Sequence, residues 1–202
     1  MADVKLTKAE LRVHQLKLER LQKYLPTLQL KKAMLQGEVL VAQAEIDRLK
    51  EEFSVAEERV LKFSSLFTDR RATEIFTATK IQRVETNQEN IAGVDIPIFK
   101  KVIFEEASYA LFDTPLWFES AIARVEELII IREKIRIVNE KKRALEKELR
   151  DVSIRVNLFE KILIPRALTS IKKIKIFLGD QQLAAVCQSK VAKKKILGRS
   201  QR

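Results

Sequence analysis

From Leu11 to Phe67 the chain places side chains at alternating steps of three and four residues: Leu11, His14, Leu18, Leu21, Leu25, Leu28, Lys32, Leu35, Val39, Ala42, Ile46, Leu49, Phe53, Ala56, Val60, Phe63 and Phe67. All but His14 and Lys32 are apolar. A mean step of 3.5 residues keeps one narrow seam facing a partner helix, whereas a strand would alternate every second residue. Sustained this far, the pattern outruns an ordinary globular helix several-fold and predicts a helix of roughly 90 Å at 1.5 Å per residue. Pro26 sits one position past a seam residue, with its ring off the seam. It removes one backbone donor and crowds the carbonyl of Gln22, so a kink near residues 22–26 is expected rather than an end.

A second seam starts at Leu128 and runs through Ile131, Ile135, Val138, Lys142, Leu145, Leu149, Val152, Val156, Phe159 and Leu163. Beyond Leu163 the spacing resumes as Ala167, Ile171, Ile174 and Leu178, a register shift beside Pro165 that alters supercoil locally. Gly179 offers a stop. Between the seams the heptads lapse. Residues 87–99 read NQENIAGVDIPIF, with Gly93 and Pro97 as turn signals, and β-branched residues flank them. A short hairpin is one reading of this stretch; a loop with short helices is the other. Thr114 followed by Pro115 reads as a cap and first position for the next helix.

Two seams of similar length on either side of an insert pair most simply within one chain. The expected fold is therefore all-α: a long intramolecular antiparallel coiled coil with a small central insert. The expected parts are a first helix over 1–72, the insert over 73–114, a second helix over 115–178 and a basic extension over 179–202. A parallel homodimer is the competing arrangement, and the turn-like middle weighs against it.

Composition limits the chemistry. Four glycines, four prolines and 33% charged residues suit long helices better than a turn-rich globule. Cys187 and His14 are the only residues of their types. No internal disulfide, cysteine cluster, histidine metal site or catalytic triad is expected, and a reducing cytoplasmic setting fits. No apolar run approaches the roughly 18 residues needed to span a bilayer. No glycine-rich phosphate loop is present, so no cofactor is expected. The net charge of +11 is concentrated at one end, since residues 161–202 hold eleven basic side chains against Asp180 alone.

The run Arg155-Val156-Asn157-Leu158-Phe159-Glu160, followed by Ile162, Ile164-Pro165-Arg166, Ile171 and Ile174, resembles a signature of the D-subunit family of V-type and A-type rotary ATPases. Gly93-Val94-Asp95-Ile96-Pro97 is similar to a short stretch of the same family. The leucine and lysine pattern of residues 5–35 and the lysine-rich segment Lys190–Ile196 resemble its two ends. The resemblance implies a non-catalytic central rotor shaft. Its paired helices would enter the catalytic hexamer of A and B subunits, with the F subunit along its side and the C subunit (d in eukaryotes) toward the membrane ring. It also implies a cytoplasmic chain at the inner face of the membrane that touches the bilayer only through its partners.

Within that reading the candidate partner contacts are Arg155, Arg166, Lys172, Lys173, Lys175, Lys190, Lys193, Lys194 and Lys195, with Arg199 beyond them. Exposed cations can guide acidic partner loops without locking them. The bland alternative for the last residues is a solvated tail. Asn157 reads more as a local hydrogen-bonding group than as a binding residue. His14 reads as packed or paired, Lys32 and Lys142 as snorkelling or register-setting, and Trp117 with Phe112 and Phe118 as packing where the insert joins. The rival functions are a basic coiled-coil nucleic-acid binder, for which interleaved aromatics and a recognition motif are missing, and a plain scaffold. No nucleic acid partner is expected.

Overall fold

A computed structural model describes residues 5–62, 72–105 and 115–200. The order of elements is α1 (Lys8–Leu61), α2 (Ala72–Ala78), β1 (Ile81–Ile91), β2 (Val94–Phe104), α3 (Phe118–Leu158), a π-turn (Phe159–Leu163) and α4 (Ile164–Ser200). The chain packs as two units. One gathers Met1–Leu30 with Val152–Arg202, and the other is Lys31–Asp151.

Helix α1 starts at a capped end. Thr7 Oγ1 accepts a hydrogen bond from the Glu10 backbone N–H at 3.2 Å, and the Thr7 carbonyl accepts the Leu11 N–H at 3.0 Å. The Thr-x-x-Glu pattern is the one that satisfies orphan donors at a helix N-terminus. The helix runs on through Pro26, which is exposed. Every described position of the first seam, from Leu11 to Val60, is buried or half-buried. Phe63 and Phe67 lie outside the described residues, as do Phe112 and the expected cap at Thr114. The second helix is hydrogen-bonded from Phe118, whose N–H donates to the Pro115 carbonyl at 3.0 Å.

In the Lys31–Asp151 unit the two long helices run antiparallel, and the side chains that bridge them show it directly. Lys31 Nζ meets Glu148 Oε1 at 2.7 Å, and Lys142 Nζ meets Gln43 Oε1 at 2.7 Å. Lys141 pairs with Glu45 at 3.6 Å and Arg59 with Glu127 at 3.7 Å. As the number rises along α1 it falls along α3. Ala42, Ile46, Leu49 and Val138 form a buried cluster here, with Ile135 against it. Lys142 does what the sequence suggests for a charged seam residue: its stem is covered while its ammonium reaches Gln43 and Glu146.

The insert is a β-hairpin. Strands β1 and β2 pair antiparallel from Ile81 opposite Phe104 to Ile91 opposite Val94. The connection is two residues, Ala92 and Gly93, both at positive φ (52° and 81°), the arrangement whose twist matches the flanking strands. Asn90 braces it, accepting the Gly93 N–H at 3.0 Å and donating to Asp95 at 2.7 Å. Pro97 is not part of the turn, contrary to the expectation from sequence. It lies inside β2 opposite Gln88, where a two-stranded ribbon tolerates a missing N–H. A second small core joins α2 to the start of α3: Ile75, Ala78, Phe118, Ala121 and Ile122, with Trp117 and Val125 packed on it. Trp117 stands edge-on to Phe118, ring centroids 6.2 Å apart.

In the other unit Leu21, Val152, Val156, Ala167, Ile171 and Ile174 are buried. Gly179 does not end the second helix, contrary to expectation. Helix α4 passes through it to Ser200. One exposed glycine costs a helix about 1 kcal/mol, and the alanine, leucine, glutamine and lysine that follow are good helix formers.

Candidate partner-binding surfaces

The nine predicted contact residues all lie in the Met1–Leu30/Val152–Arg202 unit. Arg155 is on α3 and the other eight are on α4. All nine side chains are exposed, and among the described residues none of them forms an ion pair. Steps of three and four residues bring Lys172, Lys175, Lys190 and Lys193 to one face of α4, with Lys194 beside them. Arg166, Lys173 and Lys195 fall on other sides. Asn157 is exposed as well.

Sequence reading missed what lies between these lysines. The same face carries Leu168, Ile176, Leu183 and Val186, which are 48%, 56%, 70% and 54% exposed. Leu168, Lys172, Lys175, Gly179, Leu183, Val186, Lys190 and Lys193 keep the three-four spacing of a seam, but among the described residues all eight are exposed. Every residue from Asp180 to Ile196 is exposed. This end of α4 is thus an exposed stripe in which leucine and valine lie between pairs of lysines. Exposed apolar residues grouped on one face make this a candidate interaction surface. The three-four repeat was present in the sequence, overshadowed by the stronger buried seam beside it.

A second exposed apolar set lies on α1. Val13, Leu16, Tyr24 and Leu30 belong to one unit, and Met34, Leu40, Val41 and Val55 to the other. All are off the seam, on sides of the helix that a coiled coil standing alone in water would fill with charge.

The hairpin lies against the long helices of its own unit. Pro97, Ile98 and Phe99 share a cleft of about 240 Å³ with Glu45, Arg48, Leu49 and Glu52 of α1 and with Lys134, Ile137, Val138 and Lys141 of α3. The Lys134 ammonium sits 5.5 Å from the Phe99 ring centre, within range of cation–π attraction. Ile137 is off the seam yet only 3% exposed. Glu133 is also buried, held by Arg136 at 3.1 Å and Arg132 at 3.4 Å. On the hairpin's open side Glu85 collects Arg83, Lys100 and Lys101. The Arg83 hydrogen bond, helped by the two lysines, holds its carboxyl below the usual range. On α3, burial pushes the Glu126 carboxyl up.

His14 is half-buried and pairs with Glu10 on its own helix, Nε2 to Oε1 at 3.6 Å. Among the described residues no group of three histidine, cysteine or acidic side chains is placed to hold a metal ion, and no helix is long and apolar enough to cross a membrane.

Comparison with known proteins bears on these surfaces. The model of the ATP synthase D-subunit family matches residues 10–194. The chain is 43% identical over 201 residues to the V-type ATP synthase D subunit of Chlamydia caviae, spanning 99% of this chain and 97% of the relative. It is 44% identical over 201 residues to the protein of the same name from Chlamydia felis, with the same coverage. Against the Chlamydia pneumoniae protein it is 44% identical over 194 residues, 96% of this chain and 93% of that one.

Proposed function

The chain belongs to the ATP synthase D-subunit family, and from that premise we infer how its geometry is used. It is the non-catalytic central-stalk component of a V-type ATPase, the rotor whose turning links ATP chemistry in the A and B subunits to ion transport. The observation that carries this is identity above 40% along essentially the whole chain, over helices whose described seam residues are all covered. A rotor has to resist bending and twisting while presenting different surfaces to different neighbours. Interlocked seams supply the stiffness. Two helices with unlike outer faces supply the asymmetry, so that rotation changes which catalytic site is favoured at each step.

Association with the catalytic hexamer follows from membership in the family. We place the uncovered stripe of α4, with Arg155 and Arg166, against that hexamer: its leucines and valine provide adhesion, and its lysines meet acidic loops without deep desolvation. The exposed Met34, Leu40, Val41 and Val55 of α1 suit the F subunit along the side of their unit's helix pair. The end formed by α2, the start of α3 and the exposed Leu116 suits the C subunit (d in eukaryotes) toward the membrane ring. The shaft then stands at the inner face of the membrane, on the cytoplasmic side, and touches the bilayer only through its partners. Reconstitution tests this reading. The chain is combined with A, B and F subunits, and complex size and ATP turnover are compared with and without it, and with residues 180–202 removed. A complex whose turnover depends on the chain and falls on truncation supports the placement. A hexamer that neither binds the chain nor responds to it refutes it.

A further inference from the structure

The helix that follows the hairpin changes register once, and its backbone shows where. Steps of three and four from Val152 and Val156 lead to Phe159, Leu163, Arg166, Ser170 and Lys173. The buried residues are instead Ala167, Ile171 and Ile174, at 5%, 8% and 0% exposure, while Arg166 and Lys173 face solvent. Phe159 and Leu163 stay half-buried on the original steps, and beyond Leu163 each buried position comes one residue late, so the offset separates Val156 from Ala167. Between them lies the π-turn Phe159–Leu163, closed by the Ile164 N–H donating to the Phe159 carbonyl. The backbone is ordinary right-handed helix on both sides, at Leu158 (φ −62°) and Ile164 (φ −65°). A hydrogen bond spanning five residues instead of four takes up one residue per occurrence. That is the size of the offset.

The same five residues have little burial, with only Phe159 and Leu163 half-covered. None of them is buried. Pro165 follows at once and has no N–H for the preceding turn. Few buried contacts and solvent-facing backbone bonds define the places where a helix opens first. We propose that Phe159–Leu163 is a register adapter, a one-residue insertion absorbed as a π-turn, and that together with Pro165 it is the point of easiest opening in this helix.

The adapter makes an unusual prediction about deletions. Removing one residue from a helix rotates everything beyond it by about 100°, which ordinarily turns a seam away from its partner. Removing Ile162, which is 53% exposed, instead restores an unbroken heptad series: Ala167, Ile171 and Ile174 move onto the positions that stepping from Val156 requires. The test uses the full chain, the Ile162 deletion and a control deletion of Arg143, an exposed residue of α3. Melting is followed by circular dichroism and local opening by amide hydrogen exchange. The Ile162 deletion keeps its helix content and melts at or above the parent temperature, whereas the Arg143 deletion melts lower. In the parent, amides 160–164 and 166 exchange about tenfold faster than those of Val138–Val152, equivalent to about 1.4 kcal/mol; in the Ile162 deletion that difference disappears. An Ile162 deletion in which amides 167–178 lose protection overturns the adapter. So does an Arg143 deletion tolerated equally well. Uniform protection across 138–178 in the parent overturns the opening point.

Discussion

Replacing Ile46 by alanine tests whether the seam read from spacing carries the fold. Ile46 is 2% exposed and packs with Ala42, Leu49, Val138 and Ile135. Truncation removes three carbon groups, worth about 0.8 kcal/mol each in transfer, or roughly 2.4 kcal/mol before any void is counted. A coil interface relaxes only partly around a hole, so the total should reach about 3–4 kcal/mol. At roughly 2–4 °C per kcal/mol for a chain of this size, the melting point falls by about 6–16 °C. The matched control is Leu40→Ala, since Leu40 lies on the same helix but is 71% exposed; its loss should stay within about 0.5 kcal/mol. Urea unfolding followed at 222 nm gives both values. Equal losses for the two variants, or a loss under about 1 kcal/mol for Ile46→Ala, would show that the three-four spacing does not define the buried face.

Three further outcomes follow from individual residues. Lys142→Leu should leave stability unchanged or raise it by about 1 kcal/mol, because Gln43 keeps its bond to Asp47 at 2.8 Å while the seam gains an apolar residue; a loss above about 2 kcal/mol in urea would show that the Lys142–Gln43 bridge is a net stabiliser. Gly93→Ala should cost about 1–2 kcal/mol by thermal unfolding. Its φ is +81°, and the new Cβ would meet only Lys31 Nζ at an ordinary 3.8 Å, so the penalty is the backbone's; an unchanged melting point refutes the two-residue turn. Glu126→Gln should raise stability at pH 7. Burial raises the folded-state pKa, so the charged carboxylate costs stability above that pKa, and the cost is gone below the ordinary glutamate value. The gain should therefore shrink as pH falls through that window, and a gain that persists at pH 3 contradicts the burial argument.

Much of this architecture was legible because a coiled coil writes its contacts into its spacing. Each described residue of both seams is covered, and the shift past Leu163 was visible as a change of step. The backbone device behind that shift was not visible, since a π-turn has no side-chain signature and Pro165 alone fits several local geometries. Gly93 was read correctly as a turn residue because positive φ favours glycine. Pro97 was misplaced because a proline in a two-stranded ribbon leaves the same trace as one in a loop. Gly179 misled for a related reason: it marks a helix end only when its neighbours have no stronger preference for helix. The predicted cations are all at the surface, as their charge requires. Their division between faces of α4, and the apolar residues set among Lys172, Lys175, Lys190 and Lys193, emerge only once the buried seam fixes which side is free.

The most direct test of the shaft uses the chain's single cysteine. Cys187 is exposed on the uncovered end of α4. In the reconstituted complex it can be joined by a disulfide to cysteines placed one at a time along the inner wall of the catalytic hexamer, and ATP turnover measured before and after reduction. A shaft that must turn predicts that the crosslink forms, that turnover stops in proportion to it, and that reduction restores the rate. Full turnover with the crosslink in place, or no crosslink at any position, contradicts a rotor whose α4 end works inside the hexamer.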